Sequence, residues 1–195
     1  MSRHAGNRLQ RVEVLAEVPD LSGQVALVTG GTDGARTETA DGFEMIASEA
    51  HRRARGGLDF DDLMMAEGRF RPTLASNRSK LANILYAREY ARRLEGSGVD
   101  VVAAYPGAVD TPMTRALIDY PVLRNLYLLF RRGLISPDDA AGGLLRVALA
   151  PSLASSRYYE RGLPAELGAT ASDDVTGRRL WSVTEELTGL SARHQ

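Results

Sequence analysis

The chain of 195 residues contains no cysteine. This absence excludes disulfide bonds, catalysis by a thiolate and zinc sites built on cysteine. Only three histidines are present, and His4, His51 and His194 lie far apart in the sequence. We therefore expect no histidine metal site. His51, which belongs to the charged stretch 49–73, is predicted to lie at the surface.

A strong charge of either sign is also absent, since 24 basic and 25 acidic side chains leave a net charge of −1. Such a balance offers no electrostatic attraction for nucleic acid or for an anionic membrane. No apolar run approaches the roughly 20 residues that span a bilayer, and residues 1–14 lack the apolar core of a secretion signal. We therefore predict a cytoplasmic protein with no nucleic-acid partner and no transmembrane segment.

Strand patterns alternate with helix patterns after a polar N-terminal arm at residues 1–20. Short apolar runs bounded by turn residues predict four strands, and apolar residues at helical spacing or capping signals predict four helices. The strands are expected at 24–31, 43–48, 99–105 and 156–162, and the helices at 74–94, 113–132, 137–150 and 173–190. This alternation predicts a single α/β domain at residues 21–195 with a mostly parallel sheet.

Five stretches together resemble the short-chain dehydrogenase/reductase family, and most closely its retinol-dehydrogenase-like branch. In chain order they read LSGQVALVTGGTDG, SEAHRRARGGLDF, NRSKLANILYAREYARRL, YPGAVDTPM and RYYERGLPAE. The resemblance covers residues 21 to 190 or so. It implies a Rossmann-like fold and oxidoreduction of a small hydrophobic carbonyl or alcohol substrate with NAD or NADP.

The resemblance also implies a role for individual residues at the cofactor. A glycine-rich loop after the first strand brings backbone N–H groups to a pyrophosphate, and a Pro-Gly turn with a nearby threonine closes over the nicotinamide. The matching residues are Thr29, Gly30 and Gly34 in the loop, and Pro106, Gly107 and Thr111 at the turn. Lys80 matches the lysine that binds the nicotinamide ribose.

The implied catalytic set is incomplete. Ser48 matches the serine that bonds the substrate oxygen, and Lys80 matches the lysine that lowers the pKa of a tyrosine phenol one helical turn away. At the position of that tyrosine, however, stands Ser76, whose hydroxyl is shorter and far less acidic than a phenol. Removing a general acid typically slows a reaction by ~10²–10⁴-fold, so we predict an impaired enzyme.

Two further departures concern the nucleotide-binding half. Arg36 replaces the last glycine of the loop, and Ser48 follows Gly34 by only 14 positions, whereas a βαβ unit takes roughly 30 residues. The sequence reads as a relative that lacks two internal segments, one after Ala35 and one after Met45. We expect the first strand either to lie beside a strand that it does not normally touch or to leave an open sheet edge, which favours a homo-oligomer.

Several alternatives stay open from sequence alone. The chain could be a non-redox descendant that uses Ser48, Ser76 and Lys80 in a residual pocket, a binding protein, or an inactive remnant. Tyr105 could present a phenol near the site, although packing at a strand end is the favoured interpretation. The apolar stretch 122–130 matches a substrate lid, which could also serve as a dimer contact or lie in a membrane interface.

Overall fold

The computed structural model describes residues 26–29, 42–111, 131–150 and 154–189, and the isolated helical positions Arg124, Asn125 and Leu128. The predicted N-terminal arm at 1–20 lies outside the described residues. So do Gly30, Gly34 and Arg36, and most of the helix predicted at 113–132. The parts that are described include every other predicted element.

The described residues form one sheet of five strands. Their bounds are β1 Ala26–Thr29, β2 Gly42–Ile46, β3 Asp100–Tyr105, β4 Tyr158–Glu160 and β5 Leu163–Ala165. The order in space is β1-β2-β3-β4-β5, the same as the order in the chain. The first four strands run parallel and β5 runs antiparallel to β4. The prediction of an α/β fold with a mostly parallel sheet is confirmed.

The α-helices that the structure describes in full are α1 Pro72–Arg93, α2 Pro137–Ala148 and α3 Asp174–Thr188. Short 3₁₀ helices occupy Glu49–Arg53, Arg131–Gly133 and Ala169–Ala171. The start of α2 follows the predicted capping signal, because the Ser136 side chain accepts a hydrogen bond from the Asp139 backbone N–H. No helix in the described part of the chain is long and apolar enough to cross a membrane.

The first two strands, β1 and β2, pair directly with each other. Ala26 lies opposite Gly42, and Gly42 lies opposite Asp100 on the other side. β1 therefore ends the strand order and has β2 as its neighbour. In the described sheet β1 therefore lies at an edge, which is one of the two arrangements expected from the sequence, and its partner is the strand that follows it in the chain.

Two predicted strands differ from the observed ones. The strand expected at 43–48 ends at Ile46, because Ser48 instead caps a 3₁₀ helix. The strand expected at 156–162 is the first arm of a hairpin. Arg161 and Gly162 have positive φ angles of 52° and 77°, which turn the chain between β4 and β5 in the manner of a tight hairpin turn.

Helices cover both faces of the sheet. α1 packs on one face together with α3, and α2 packs on the other. The first face has the larger core, which includes Leu81, Ile84, Leu85, Val101, Tyr158 and Leu180. The second core consists of Val102, Ala104, Leu144, Val147 and Tyr159.

Candidate functional site

Two predicted site segments meet at the carboxyl edge of the parallel strands. β2 and β3 are paired so that Ile46 lies opposite Ala104, and the Ala47 N–H donates to the Ala104 carbonyl at 2.7 Å. Ser48 follows β2 by two residues, and Pro106 follows β3 directly. Ser48 and the Pro106-Gly107 turn therefore emerge side by side, at the edge where ligands bind in open α/β sheets.

Ser48 is held by its own turn. The residue has extended backbone angles and caps the 3₁₀ helix, and its Oγ accepts a hydrogen bond from the Ala50 N–H at 3.2 Å. Its carbonyl accepts from the His51 backbone N–H at 3.1 Å and from the His51 ring Nδ1 at 2.6 Å. The Ser48 Oγ keeps its own proton for a further hydrogen bond, because the cap uses only a lone pair.

Lys80 comes to the same edge through α1. The Asn83 side-chain N–H donates to the carbonyl of Ile46, the last residue of β2, at 3.0 Å. Lys80 precedes Asn83 by three residues, which is about 4.5 Å along a helix axis. Lys80 is half-buried and forms no ion pair with any residue that the structure describes.

Ser76 lies one helical turn before Lys80 on α1 and is exposed. Residues four apart lie on one face of a helix, so the two side chains keep the relation that a tyrosine and a lysine would have. The serine hydroxyl ends several ångströms short of a phenol in the same direction. At this position the site therefore has an alcohol in contact with solvent.

The turn after β3 is fixed tightly. Gly107 is buried with φ 114°, and a Cβ placed there would lie 3.0 Å from Ile135 Cδ1 and 3.3 Å from Arg161 Nε. The chain beyond the turn is tied to the start of α2, because the Asp110 N–H donates to the Ile135 carbonyl and the Ile135 N–H donates to the Ala108 carbonyl, both at 2.9 Å. Thr111 follows this tie and is half-buried.

The pyrophosphate side of the predicted site is only partly described. Thr29 ends β1 opposite Met45 of β2, so it lies at the same carboxyl edge as Ser48. Gly30 and Gly34 lie outside the described residues. The assignment of all these positions to a cofactor stays a prediction.

The phenol ring of Tyr105 adjoins this edge. Tyr105 is buried at the end of β3, in line with the packing interpretation. Burial raises the pKa of its phenol, and the neighbouring Glu49 charge adds to the effect. A phenol with a raised pKa is a weaker acid, so Tyr105 is a poor replacement for the missing tyrosine.

His51 contradicts the prediction of a surface residue, since only 3% of it is exposed. Its ring packs edge-on against Tyr158, with ring centroids 5.2 Å apart and an interplanar angle of 72°. The prediction was wrong because the neighbouring Glu49, Arg52 and Arg53 are charged, a pattern typical of a surface segment. Only the 3₁₀ turn, which points the ring towards β4, could have revealed this burial.

Arg161 was not singled out from the sequence. It lies in the hairpin turn after β4, and its buried Nε, next to Gly107, has no hydrogen-bond partner in the part of the chain that the structure describes. No group of three or more histidine, aspartate or glutamate side chains in the described part of the chain could hold a metal ion. The described residues thus define an α/β protein with a candidate site at the carboxyl edge of β2 and β3.

Comparison with known proteins agrees with this class. The chain is 35% identical over 138 residues to human retinol dehydrogenase 14, a match that takes 69% of this chain and 41% of that protein. It is 35% identical over 161 residues to bovine (Bos taurus) dehydrogenase/reductase SDR family member 13, covering 80% of this chain and 41% of the other. The chain thus spans less than half the length of these curated relatives. No protein-family model matches it.

A solved structure has a related fold. It belongs to an uncharacterised protein from Mycobacterium paratuberculosis, superimposes with a TM-score of 0.55 at 26% identity, and is matched over 76% of this chain and 50% of its own. The chain belongs to the short-chain dehydrogenase/reductase family. The resemblance identified from the sequence is confirmed.

Proposed function

We propose that the chain is an NAD(P)-dependent oxidoreductase that acts on a small hydrophobic carbonyl or alcohol compound, with a rate limited by the absence of a phenol. The observation that carries this proposal is the convergence of Ser48, Lys80 and the Pro106-Gly107 turn at one edge of the sheet. Membership of the dehydrogenase/reductase family supports the reaction type, and the names of the curated relatives support a hydrophobic, retinoid-like substrate.

Each of these residues has a role that its geometry suits. The Ser48 Oγ accepts from the Ala50 N–H, which polarises the hydroxyl and leaves its proton to bond the substrate oxygen. The Lys80 ammonium, which is half-buried and has no ion-pair partner among the described residues, suits a ribose hydroxyl pair. Ser76 is exposed, so a solvent molecule next to it would serve as the proton source in place of a phenol.

The described residues fit the nicotinamide end of a dinucleotide. The tight turn at Gly107 supplies a fixed backbone surface next to Ser48, and Lys80 supplies a cation without a partner among the described residues. When bound, the nicotinamide supplies or accepts the hydride. The choice between NAD and NADP rests on residues that this sequence lacks.

Titration calorimetry with NADH and with NADPH tests the cofactor, and turnover of a hydrophobic ketone or aldehyde tests the reaction. We expect measurable binding of one nucleotide and slow turnover. Ser76→Tyr should raise turnover by about 100-fold or more, because it restores the general acid. Ser79→Tyr, an exposed position on the same helix, is the matched control and should leave the rate unchanged.

One observation favours a second candidate function. The strand order runs β1-β2-β3-β4 without a reversal, whereas doubly wound sheets bind dinucleotides where the strand order reverses. This strand order favours a second function, the binding of a hydrophobic carbonyl compound without a cofactor. It predicts that the ketone binds, that neither nucleotide binds, and that Ser76→Tyr shows no turnover.

The cytoplasmic location and a homo-oligomeric state stay predictions, and gel filtration tests the latter.

A further inference from the structure

A buried imidazole adjoins the candidate catalytic serine. The His51 Nδ1 lies 2.6 Å from the Ser48 carbonyl oxygen. A carbonyl only accepts, so the His51 Nδ1 carries the proton and donates it. This ring contact is shorter than the backbone hydrogen bond of 3.1 Å to the same oxygen. The Ser48 carbonyl is thus bound twice by one residue.

The other side of the imidazole is closed. The His51 Nε2 is buried and has no hydrogen-bond partner among the described residues, so none of them would accept a second proton there. Burial accordingly lowers the pKa of His51. The neutral ring with its proton on Nδ1 is the form that this environment selects.

The His51 ring packs against the hairpin formed by β4 and β5. Tyr158 of β4 is almost completely buried, and the His51 ring meets it edge to face at 5.2 Å. Tyr158 lies opposite Ala103 in the sheet, so its position is set by the same strand that leads to the Pro106-Gly107 turn. The contact connects both segments of the candidate site.

We propose that His51 is a positioning residue for Ser48. Its ring N–H holds the Ser48 carbonyl, which fixes the backbone of the 3₁₀ turn and with it the hydrogen bond from the Ala50 N–H to the Ser48 Oγ. The serine hydroxyl is thereby aimed at the carboxyl edge of the sheet. The inference rests on the proposed function only in taking Ser48 as the residue that contacts substrate.

A single thiol measures this restraint without any cofactor. The chain has no cysteine, so Ser48→Cys introduces one thiol at the Oγ position, and its alkylation rate reports how firmly the turn holds it. We expect His51→Phe, which keeps a ring against Tyr158 but removes the N–H, to speed alkylation by about five- to tenfold, as loss of one hydrogen bond implies. His51→Asn places an amide N–H near the Nδ1 position and should restore the slow rate.

A matched capping serine provides the control. Ser136 caps α2 as Ser48 caps its own turn, so a chain with Ser136→Cys alone should be alkylated equally fast with His51 and with His51→Phe. Equal rates for the thiol at position 48 in both chains would overturn the proposal. If His51→Asn failed to restore the slow rate, the ring packing and not the N–H would be responsible, which would also overturn the proposal. Equal acceleration of the thiol at position 136 would do the same, because it would reveal a general loosening of the fold.

The unsubstituted chain offers a second test. The ¹⁵N chemical shifts of the His51 ring distinguish a protonated Nδ1 from a protonated Nε2. We expect Nδ1 to carry the proton at neutral pH, and the opposite tautomer would overturn the proposal. Because neither measurement involves NADH or a ketone, failure of the proposed function leaves both results interpretable.

Discussion

The two faces of the sheet differ in how well their residues suit burial. On the face covered by α1 and α3, the fully buried side chains are mostly aliphatic, such as Leu81, Ile84 and Val101. The face covered by α2 has a smaller core, and Glu44 of β2 belongs to it, because Glu44 lies opposite Val102 in the sheet. Only 2% of Glu44 is exposed, and neither carboxyl oxygen has a hydrogen-bond partner among the described residues.

The difference lies mainly in β2, a strand with a neighbour on each side. Glycine and charged residues are depleted in central strands, yet β2 contains Gly42 and Glu44 between two neighbouring strands. Burial raises the pKa of Glu44 to about 8, so at neutral pH the group is mostly protonated.

The largest effect is expected from Glu44, whose burial should make the free energy of unfolding depend on pH. A carboxyl whose pKa is higher in the folded state binds its proton more tightly there than in the unfolded state, so deprotonation at high pH favours unfolding. The free energy of unfolding should therefore fall as the pH rises from 4.5 to about 8. The loss should be on the order of 4 kcal/mol. Glu44→Gln stays uncharged and should remove this loss, as measured by urea unfolding at pH 5 and pH 8. The exposed Glu95→Gln is the control, and an unchanged slope in Glu44→Gln would contradict the assignment.

Leucine truncation compares the two faces directly. Leu81→Ala on the α1 face should lower the free energy of unfolding by about 3–4 kcal/mol, because a tightly packed core cannot collapse around the cavity. Leu144→Ala on the α2 face should cost about 2 kcal/mol, since fewer buried neighbours surround it. Guanidinium unfolding of both variants gives the two values. A larger loss for Leu144→Ala would reverse our ranking of the faces.

A smaller effect is expected at the turn that follows β3. In Gly107→Ala the added Cβ meets Ile135 and Arg161 within 3.3 Å and the backbone keeps φ 114°, so stability should fall by about 2 kcal/mol. Gly98→Ala also has a positive φ, of 83°, but has open space around it. It should cost about 1 kcal/mol. Thermal unfolding of the two variants separates crowding from backbone strain, and equal losses would rule out crowding.

The smallest effect concerns the link between α1 and β2. Asn83→Ala removes the hydrogen bond to the Ile46 carbonyl and should lower the free energy of unfolding by about 1 kcal/mol. The same change should weaken nucleotide binding by moving Lys80 away from the edge. Calorimetry of Asn83→Ala against Asn83→Asp, which cannot donate, shows whether the donated proton matters. A wild-type affinity in both variants would show that the Asn83 hydrogen bond does not position Lys80 for nucleotide binding.

Local signals gave most of the fold. The start of α2 was predictable because a serine cap followed by proline acts within a few residues, and β3 was predictable because its apolar run ends at Pro106-Gly107. The hairpin after β4 was missed because its turn begins with Arg161, a residue that seldom adopts a positive φ. The burial of Glu44 and of His51 depends on contacts with strands distant in sequence, which no local pattern reports.

The candidate site was predictable to a different degree. The resemblance to the family located Ser48, Lys80 and Gly107, and the structure brings the segments that carry them to one edge of the sheet. Their roles stay predictions. The hydrogen bond from the His51 ring to the Ser48 carbonyl could not be predicted from the sequence. A histidine beside arginines is typical of a surface, and only tertiary packing turns the ring inwards.

The strand order of the described sheet has a consequence for partial opening. Each strand adjoins only strands that are its neighbours in the chain, and β1 lies at the end with four residues. Detachment of β1 disrupts one ladder and leaves β2 to β5 joined, so it requires less free energy than opening at β3. Amide protons of Ala26–Thr29 should therefore exchange with solvent well before those of Asp100–Tyr105, which makes the N-terminal strand more labile than the centre of the sheet.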